Sequence, residues 1–371
     1  MVDTNHATCP RCGATLPTDP LVGLCPRCLL SDPAGDEREA RPVSRSASER
    51  ARRNLTTALA VLPIGAILLG ALWFGNGCQR QRDDAVTVAN RGVALQGQGK
   101  LAEAIVAYRE AIRLKPDHAE AHYNLGTALQ AQGKLAEAIA AYREAIRIKP
   151  DFALAHNNLG NALRKQGKPA EAIAALREAI RLQPDLSMAH FNLGVALQGQ
   201  GKLAEAIVAY REGIRLKPVD ADAHYSLGTA LHAQGKLAEA IAAYREAIRL
   251  KPDLARAHNN LGGALQGQGK LAEAIDEYRM AIRLEPNLAE LHRNLGGALQ
   301  GQGKLAEAIA AYREAIRLKN DDAWAHYKLG IALKVQGKLE EAVAEFRKAH
   351  NTQPSSELAQ LIERELTATD H

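Results

Sequence analysis

Four cysteines near the amino terminus have the type and spacing of metal ligands. They form two Cys-x-x-Cys pairs separated by 12 residues: Cys9, Cys12, Cys25 and Cys28. Two such turns can present four thiolates tetrahedrally to Zn²⁺, and the metal supplies folding energy that so short a segment lacks. The separation between the pairs is slightly shorter than usual. The pattern predicts a structural zinc site over residues 1–30, with a redox dithiol or a disulfide pair as the alternatives.

A histidine that returns every 34 residues provides a second set of possible metal ligands. The set is His122, His156, His190, His224, His258, His292 and His326. Equivalent positions in stacked helix pairs lie about 10 Å or more apart, whereas metal–nitrogen bonds are about 2 Å long. Two of these histidines cannot share one ion, so we expect half-buried packing residues and no metal site here.

These histidines belong to an internal repeat of 34 residues. The block Gln-Gly-Lys-Leu-Ala-Glu-Ala-Ile recurs with near identity, and its glycine returns at 99, 133, 167, 201, 235, 269, 303 and 337. If each unit ends at its proline, the units are 83–116, 117–150, 151–184, 185–218, 219–252, 253–286, 287–320 and 321–354. The seventh unit ends with Asn320 in place of proline. Such regularity predicts a stack in which each unit packs against its neighbours.

Each unit has the pattern of two helices. In the unit 117–150, we expect Asp117 to cap the first helix and Gly133 to end it in the left-handed conformation. Gly126 and Ala138 are small where the two helices must cross. The helical spacing of apolar residues predicts one buried stripe on each helix. These stripes are His122, Leu125 and Leu129, then Leu135, Ile139, Tyr142 and Ile146.

The spacing resembles that of the tetratricopeptide repeat (TPR). The family pattern is Trp, Leu-Gly, Tyr, Ala, Phe, Ala and Pro at fixed offsets. The second unit supplies His122, Leu125-Gly126, Leu129, Ala138, Tyr142, Ala145 and Pro150. Histidine thus stands where the family has tryptophan. The resemblance covers 83–354 and implies an all-α, right-handed superhelix of eight helix pairs, with the first helix of each pair lining a concave groove.

A series of asparagines, which we call the asparagine series, lies two residues beyond the histidine position. It comprises Asn90, Asn124, Asn158, Asn192, Asn260 and Asn294, and Ser226 and Lys328 interrupt it. A primary amide both donates and accepts hydrogen bonds, which suits an extended peptide backbone. The sequence Ala-His-Tyr-Asn-Leu-Gly is similar to the repeats of the O-linked N-acetylglucosamine transferases. The resemblance implies that such asparagines bind peptide, as they do in that family. The alternative is that these asparagines were inherited with a duplicated unit.

The residue beside each asparagine varies from unit to unit. Aromatic residues there are Tyr123, Phe191, Tyr225 and Tyr327. Large aromatic side chains are frequent anchors of protein interfaces, so we expect these four residues and the asparagine series to bind peptides or proteins in the groove.

Composition and charge argue against other function classes. Hydrophobic residues make up 46% of the chain and aromatic residues only 4%, which favours close-packed helices. The net charge is +5, and basic and acidic residues alternate on the second helices, so we expect no nucleic acid at the repeats. The sequence has no phosphate-binding loop, nucleophile elbow or catalytic carboxylate pair. Only 17 residues follow the last repeat, too few for a glycosyltransferase domain, and we expect no enzyme.

The amino-terminal fifth predicts a membrane anchor. Residues 31–54 have the composition of a disordered linker. Residues 55–77 follow as an uncharged apolar stretch, long enough to cross a bilayer, with Trp73 and Phe74 at one end. Cys78 follows the span, where it could be lipidated or pair with a second copy. At the other end of the chain, the spacing of Leu358, Leu361, Ile362 and Leu366 predicts a capping helix over 355–371.

The flanking charges predict the orientation of the span. Six arginines precede it: Arg38, Arg41, Arg45, Arg50, Arg52 and Arg53. Only Arg80 and Arg82 follow closely, so the amino terminus is predicted to be cytoplasmic. This orientation places the repeats in the periplasm, anchored in a bacterial inner membrane. The whole arrangement resembles the membrane-bound repeat proteins of planctomycete-type bacteria. The favoured function is a membrane-anchored, peptide-binding scaffold; the alternative is a cytoplasmic zinc-knuckle regulator with the repeats as sensor or spacer.

Overall fold

The computed structural model describes residues 84–352 and 354–369, and this part of the chain is helical throughout. Helix α1 spans 84–97. The others are α2 Leu101–Leu114, α3 Ala119–Ala131, α4 Leu135–Ile148, α5 Ala153–Lys165, α6 Pro169–Leu182, α7 Ser187–Gly199, α8 Leu203–Leu216, α9 Ala221–Ala233, α10 Leu237–Leu250, α11 Ala255–Gly267, α12 Leu271–Leu284, α13 Ala289–Gly301, α14 Leu305–Leu318, α15 Ala323–Val335, α16 Leu339–Asn351 and α17 Ser356–Thr369. The predicted zinc segment, linker and membrane span lie outside the described residues.

The described helices form eight consecutive pairs followed by α17. Each odd-numbered helix packs against the even-numbered helix that follows it, and each pair packs against the next pair. The predicted all-α repeat array is therefore confirmed. Helix α17 packs on α16, with Leu358 and Ile362 buried and Leu361 and Leu366 partly buried on the same core. It covers the apolar face of the last pair, as a terminal helix must.

The turn within each pair depends on glycine. Gly133 has a φ of 78°, in the left-handed region where residues with a Cβ are strained. The next residue, Lys134, donates its N–H to the Leu129 carbonyl at 2.9 Å, which satisfies a carbonyl at the end of α3. The predicted role of Gly133 is confirmed, and equivalent glycines close the other seven pairs.

The predicted cap at Asp117 is wrong. Helix α3 begins at Ala119 and its N-cap residue is His118, without a side-chain capping bond. Asp117 lies one residue too early, within the turn that follows Pro116. Among the described helices, side-chain caps form where aspartate directly precedes the helix: Asp220 accepts from the Ala223 N–H at 3.1 Å, and Asp322 from the Ala325 N–H at 3.0 Å.

Close helix crossing explains the glycine inside each odd-numbered helix. A Cβ on Gly126 would lie 2.6 Å from Cε1 of the buried Tyr142. Ala138 is completely buried at the same crossing. Both residues were expected to be small here, and the ring of Tyr142 occupies the space that a side chain on Gly126 would need.

Successive odd-numbered helices lie closer to each other than successive even-numbered helices do. Successive odd-numbered helices contact each other directly, as α3 does α5 and α5 does α7, whereas successive even-numbered helices in the described array make no comparable contact. The odd-numbered helices therefore lie on the inner side of the curved array. We call the surface that they line the inner groove.

Ion pairs connect the even-numbered helices on the outer side. One pair spans each junction: Arg109–Glu137, Arg143–Glu171, Arg177–Glu205, Arg211–Glu239, Arg245–Glu273, Arg279–Glu307 and Arg313–Glu341. These side chains are about half exposed, so each pair contributes about 1 kcal/mol or less. The alternating charges of the second helices thus also link neighbouring repeats.

No helix in the part of the chain that the structure describes combines the length and the apolar content needed to cross a bilayer. The predicted span over 55–77 precedes the first described residue.

Candidate functional site: the inner groove

Two hydrogen-bonded networks run along the inner groove between successive odd-numbered helices. In the first amide network, Asn158 Nδ2 donates to the hydroxyl of Tyr123 at 3.1 Å. Asn157 Nδ2 donates to Asn158 Oδ1 at 3.0 Å, and Asn157 Oδ1 accepts from Asn192 Nδ2 at 2.9 Å. The network therefore joins α3, α5 and α7. Asn157 at its centre is completely buried.

The second amide network repeats the same bonds three repeats later. Asn260 Nδ2 donates to the Tyr225 hydroxyl at 3.1 Å, and Asn294 Nδ2 donates to Asn259 Oδ1 at 2.9 Å. Asn259 Nδ2 donates to Asn260 Oδ1 at 3.3 Å. This network joins α9, α11 and α13. In the two networks Asn157 and Asn259 connect neighbouring helices, a role that the sequence analysis did not assign to them.

The networks divide the asparagine series into two groups. Four members have hydrogen bonds within the array: Asn158, Asn192, Asn260 and Asn294. Asn90 is exposed and Asn124 is partly exposed, and neither side-chain amide bonds to another described residue. Since each amide N has two hydrogens and each amide oxygen accepts twice, the four linked residues retain part of their capacity. Asn90 and Asn124 retain all of it.

The four predicted aromatic anchors are all packed against other side chains. The ring of Tyr123 lies 4.9 Å from that of Phe152, and Tyr225 is covered by the Arg256 guanidinium at 4.6 Å. Arg256 is itself paired with Asp222. Burial raises the pKa of both tyrosines, although Asn158 and Asn260 partly offset this through their hydrogen bonds. Both rings are therefore half-buried and already in contact on one side.

The other two aromatic anchors differ from each other in exposure. Phe191 is half-buried, 5.8 Å from the Tyr210 ring. Tyr327 is only 8% exposed and packs on Phe346, so the expectation of a free anchor there is corrected: its ring belongs to the core. The more exposed aromatic is Trp324, three residues earlier on the same helix.

Several exposed apolar residues on the odd-numbered helices were missed by the sequence analysis. They are Val86, Val93, Met188, Trp324 and, at the end of α15, Val335. The signal was available, because Val86, Met188 and Trp324 occupy one repeat position, three residues before the aromatic position. Glutamate, aspartate and arginine occupy it in Glu120, Asp222 and Arg256. This position of the inner groove is therefore apolar in some repeats and charged in others, and it is apolar in both the first and the last repeat.

The seven histidines make hydrogen bonds to the backbone. In each, Nε2 donates to the carbonyl six residues earlier, as His122 does to Pro116 at 3.0 Å. His326 makes this bond to Asn320, which explains how asparagine replaces proline there without loss of the contact. Within the described ranges no cluster of side chains has the geometry to hold a metal ion.

Two of these histidines also face a carboxylate. His258 Nδ1 lies 2.6 Å from Glu277, and His326 Nδ1 lies 2.6 Å from Glu345. Both ring nitrogens then face acceptors, which only the protonated imidazolium satisfies. Burial by itself would lower the pKa of His258, but the hydrogen bonds that the ring donates to Glu277 and to the Pro252 carbonyl, together with the attraction of the Glu277 charge, outweigh burial and raise the pKa. The pKa of His326 is raised chiefly by its hydrogen bond with Glu345.

Replacing Glu277 by alanine, the residue found at the equivalent position 141, should remove a pH-dependent part of the stability. Because the pKa of His258 is raised in the folded chain, the stabilisation is complete below the unfolded pKa of about 6.5 and is lost as pH rises through the folded value. The thermal midpoint of the wild type should therefore fall relative to that of Glu277→Ala as the pH rises above about 6.5.

The matched control for this measurement is Glu273→Ala. Glu273 lies on the same helix but pairs with Arg245, not with a histidine. Its pH profile should run parallel to that of the wild type. A Glu277→Ala profile that is also parallel to the wild type would show that the His258–Glu277 pair does not titrate in this way.

A cleft on the outer side offers a competing surface. It has a volume of about 680 Å³ and lies among α6, α7 and α8, with Ile180, Leu193 and Val208 among its lining residues. Charged residues at its rim are already paired, as Arg177 is with Glu205 and Arg215 with Glu212. The cleft is mainly apolar and lacks the unpaired polar groups of the inner groove.

Two family models match the sequence, and both describe the same repeat. The model described as "Tetratricopeptide repeat" matches residues 90–152 and 157–218. The model described as "TPR repeat" matches 228–269, 267–303 and 301–337. No protein with a curated description matches the chain.

Several solved structures are similar to parts of this chain. MamA is 30% identical over 44% of this chain and 95% of that chain, with a TM-score of 0.42. YrrB, described as a TPR protein with an unusual peptide-binding site, is 22% identical over 52% of this chain and 99% of that chain, with a TM-score of 0.44. The Cut9–Hcn1 structure of APC/C is 17% identical over 72% of this chain and 52% of that chain, with a TM-score of 0.52, a likeness of fold alone.

Proposed function

This chain belongs to the tetratricopeptide-repeat family, and we propose that it is a non-catalytic scaffold whose inner groove binds extended peptide segments of partner proteins. One observation carries the proposal: the inner groove combines amides that have no internal partner with exposed apolar side chains. Asn90 lies between the exposed residues Val86 and Val93, and Asn124 follows on the next odd-numbered helix. Amides can pair with a peptide backbone while apolar side chains bury part of its side chains.

The amide networks refine which residues contact the peptide. Asn90 and Asn124 are proposed as full contacts, because their amides are free of internal bonds. Asn158, Asn192, Asn260 and Asn294 are proposed as partial contacts that use their remaining donors and acceptors. Tyr123, Phe191 and Tyr225 would contribute the exposed parts of their rings.

The amino-terminal segment completes the proposal. The cysteines at 9, 12, 25 and 28 would hold a structural Zn²⁺, and the apolar stretch 55–77 would anchor the array in a bacterial inner membrane with the repeats in the periplasm. Both elements rest on the sequence pattern given above. The scaffold function depends on neither, because the groove residues all lie within α1–α15.

Cross-linking of the full-length chain in native membranes, followed by mass spectrometry, tests the scaffold function. A variant with Asn90→Ala and Asn124→Ala should lose most captured partners yet keep its thermal stability, since these side chains make no internal hydrogen bonds. Val106→Ala with Val208→Ala is the matched control, because both valines are exposed on even-numbered helices. If the asparagine variant captures the same partners in equal amounts, the groove is not the binding surface. The array would then be a spacer or sensor for the zinc segment.

A further inference from the structure

Side-chain hydrogen bonds join successive odd-numbered helices at every junction of the described array except one. The bonds are Gln96 to Thr127, Asn158 to Tyr123, Asn192 to Asn157, Asn260 to Tyr225, Asn294 to Asn259, Arg293 to Asp322 and Lys334 to Glu365. The exception lies between α7 and α9. Every residue of these two helices is described, and no side chain of one bonds to the other. We call this contact the α7–α9 junction.

The residue types at the α7–α9 junction explain the missing bond. Phe191 stands where Tyr123 and Tyr225 accept from an asparagine 35 residues later, and its ring has no hydroxyl to accept with. Ser226 stands in place of that asparagine. Its hydroxyl interacts with Tyr210 of α8, which is an even-numbered helix, and not with α7. The chain therefore differs from the other repeats on both sides of this one junction.

Apolar packing and an outer ion pair still hold the α7–α9 junction together. Leu197 of α7 and Leu231 of α9 are buried in the same core. On the outer side, Arg211 of α8 pairs with Glu239 of α10. Apolar contacts are not directional, whereas hydrogen bonds weaken steeply when they are misaligned. The two inner helices can therefore roll on each other here without breaking a directional bond between them.

A glycine loosens the structure beside the same junction. Gly213 lies inside α8, at a position where the other seven repeats have alanine. A Cβ on Gly213 would lie 3.4 Å from the backbone N of Phe191 and 3.4 Å from the carbonyl O of Ser187, so packing does not require glycine. Glycine inside a helix lowers its stability. Helix α8 is therefore weakened where it supports the backbone of Phe191 on α7.

We propose that the α7–α9 junction is a hinge, about which two stiffer parts of the array bend and so widen or narrow the inner groove. Three inner bonds join α1, α3, α5 and α7 in the first part. Three more join α9, α11, α13 and α15 in the second part. Each amide network lies wholly on one side of the hinge. The inference concerns the motion of the array itself and does not rest on peptide binding.

Distances between paired spin labels on the full-length chain, purified in detergent, test the hinge. The labels are attached through noncanonical residues, because the chain has five native cysteines. One pair is placed at Val106 and Val208 and the other at Val208 and Ala310, all of which are exposed on even-numbered helices. Each pair spans three repeats, but only the pair 208–310 crosses the α7–α9 junction. Its distance distribution should be the wider of the two by more than the error between repeated preparations.

A double variant should close the hinge. Phe191→Tyr with Ser226→Asn gives this junction the pair of residues that Tyr123 and Asn158 supply between α3 and α5. The 208–310 distribution should then narrow to the width of the 106–208 distribution. Ser226→Asn alone is the matched control, because Phe191 gives the new amide no hydroxyl to donate to, and its 208–310 distribution should stay wide.

The outcomes separate this inference from the proposed function. A wild-type 208–310 distribution as narrow as the 106–208 distribution would overturn the hinge. A double variant that has the circular dichroism of the folded chain but keeps the wide distribution would overturn it as well. If the double variant does not fold, the comparison of the two wild-type pairs decides alone. None of these results changes whether the inner groove binds peptide.

Discussion

Replacing Gly262 by alanine is expected to destabilise the array by about 1–3 kcal/mol, the usual cost of forcing an extra group into a packed interior. The new Cβ would lie 2.8 Å from Cε1 and 2.9 Å from Cδ1 of Tyr278. The Tyr278 ring is 3% exposed and its hydroxyl donates to Gln266 at 3.1 Å, so it cannot move without losing contacts. Urea unfolding of the full-length chain, with hydrogen exchange in α11 and α12, measures the effect.

The neighbouring Gly263 supplies the control. A Cβ on Gly263 would be 3.6 Å from its nearest neighbour, His232 Cε1, which is an ordinary contact. Gly263→Ala should therefore be neutral or stabilising by up to about 1 kcal/mol, because alanine favours the helix. Equal effects of the two substitutions would show that the tight crossing of α11 and α12 is not what requires glycine. Repeat arrays need not unfold in one step, so local exchange is the decisive observation.

Replacing Asn157 by alanine should have the second large effect. The side chain is completely buried and makes two hydrogen bonds in the first amide network, one to Asn158 and one from Asn192. Its removal leaves both partners short of a bond at a helix junction. We expect a loss of about 1–3 kcal/mol and faster hydrogen exchange in α5 and α7.

Asn124→Ala provides the comparison for Asn157→Ala. Its amide has no internal bond, so stability should change little while peptide binding weakens. The opposite pattern, with Asn124→Ala destabilising and Asn157→Ala silent, would contradict the assignment of the two residues to binding and to structure. Replacing Asn158 or Asn192 by alanine would alter both peptide binding and stability, because each side chain belongs to the first amide network and is also a proposed contact.

Much of the fold could be predicted because the same 34-residue pattern occurs in eight consecutive units. The 34-residue period predicted the helix pairs, the left-handed Gly133 and the tight crossing at Gly126. Each of these features depends on residues within one unit. Asp117 was misassigned because the helix starts two residues after it, and capping requires the residue directly before the helix.

The groove was less predictable because its key contacts cross between units. The bond from Asn158 to Tyr123 joins residues 35 positions apart, and whether an amide is used internally depends on the identity of that distant partner. The pairing of His258 with Glu277 arises in the same way, since Glu277 replaces an alanine found in most other units. Both contacts join residues that differ between units, so they depend on which residues face each other across a helix junction and not only on the repeated pattern.

Site-specific photo-cross-linking tests the central claim most directly, because it distinguishes the inner groove from the outer cleft. Met188 and Val208 are both exposed apolar residues of the fourth repeat, on the inner α7 and the outer α8. A photoreactive residue at 188 in the full-length chain is predicted to capture partner polypeptides in native membranes, and one at 208 is predicted to capture few. Capture at 208 with none at 188 would contradict the account and assign partner binding to the outer cleft.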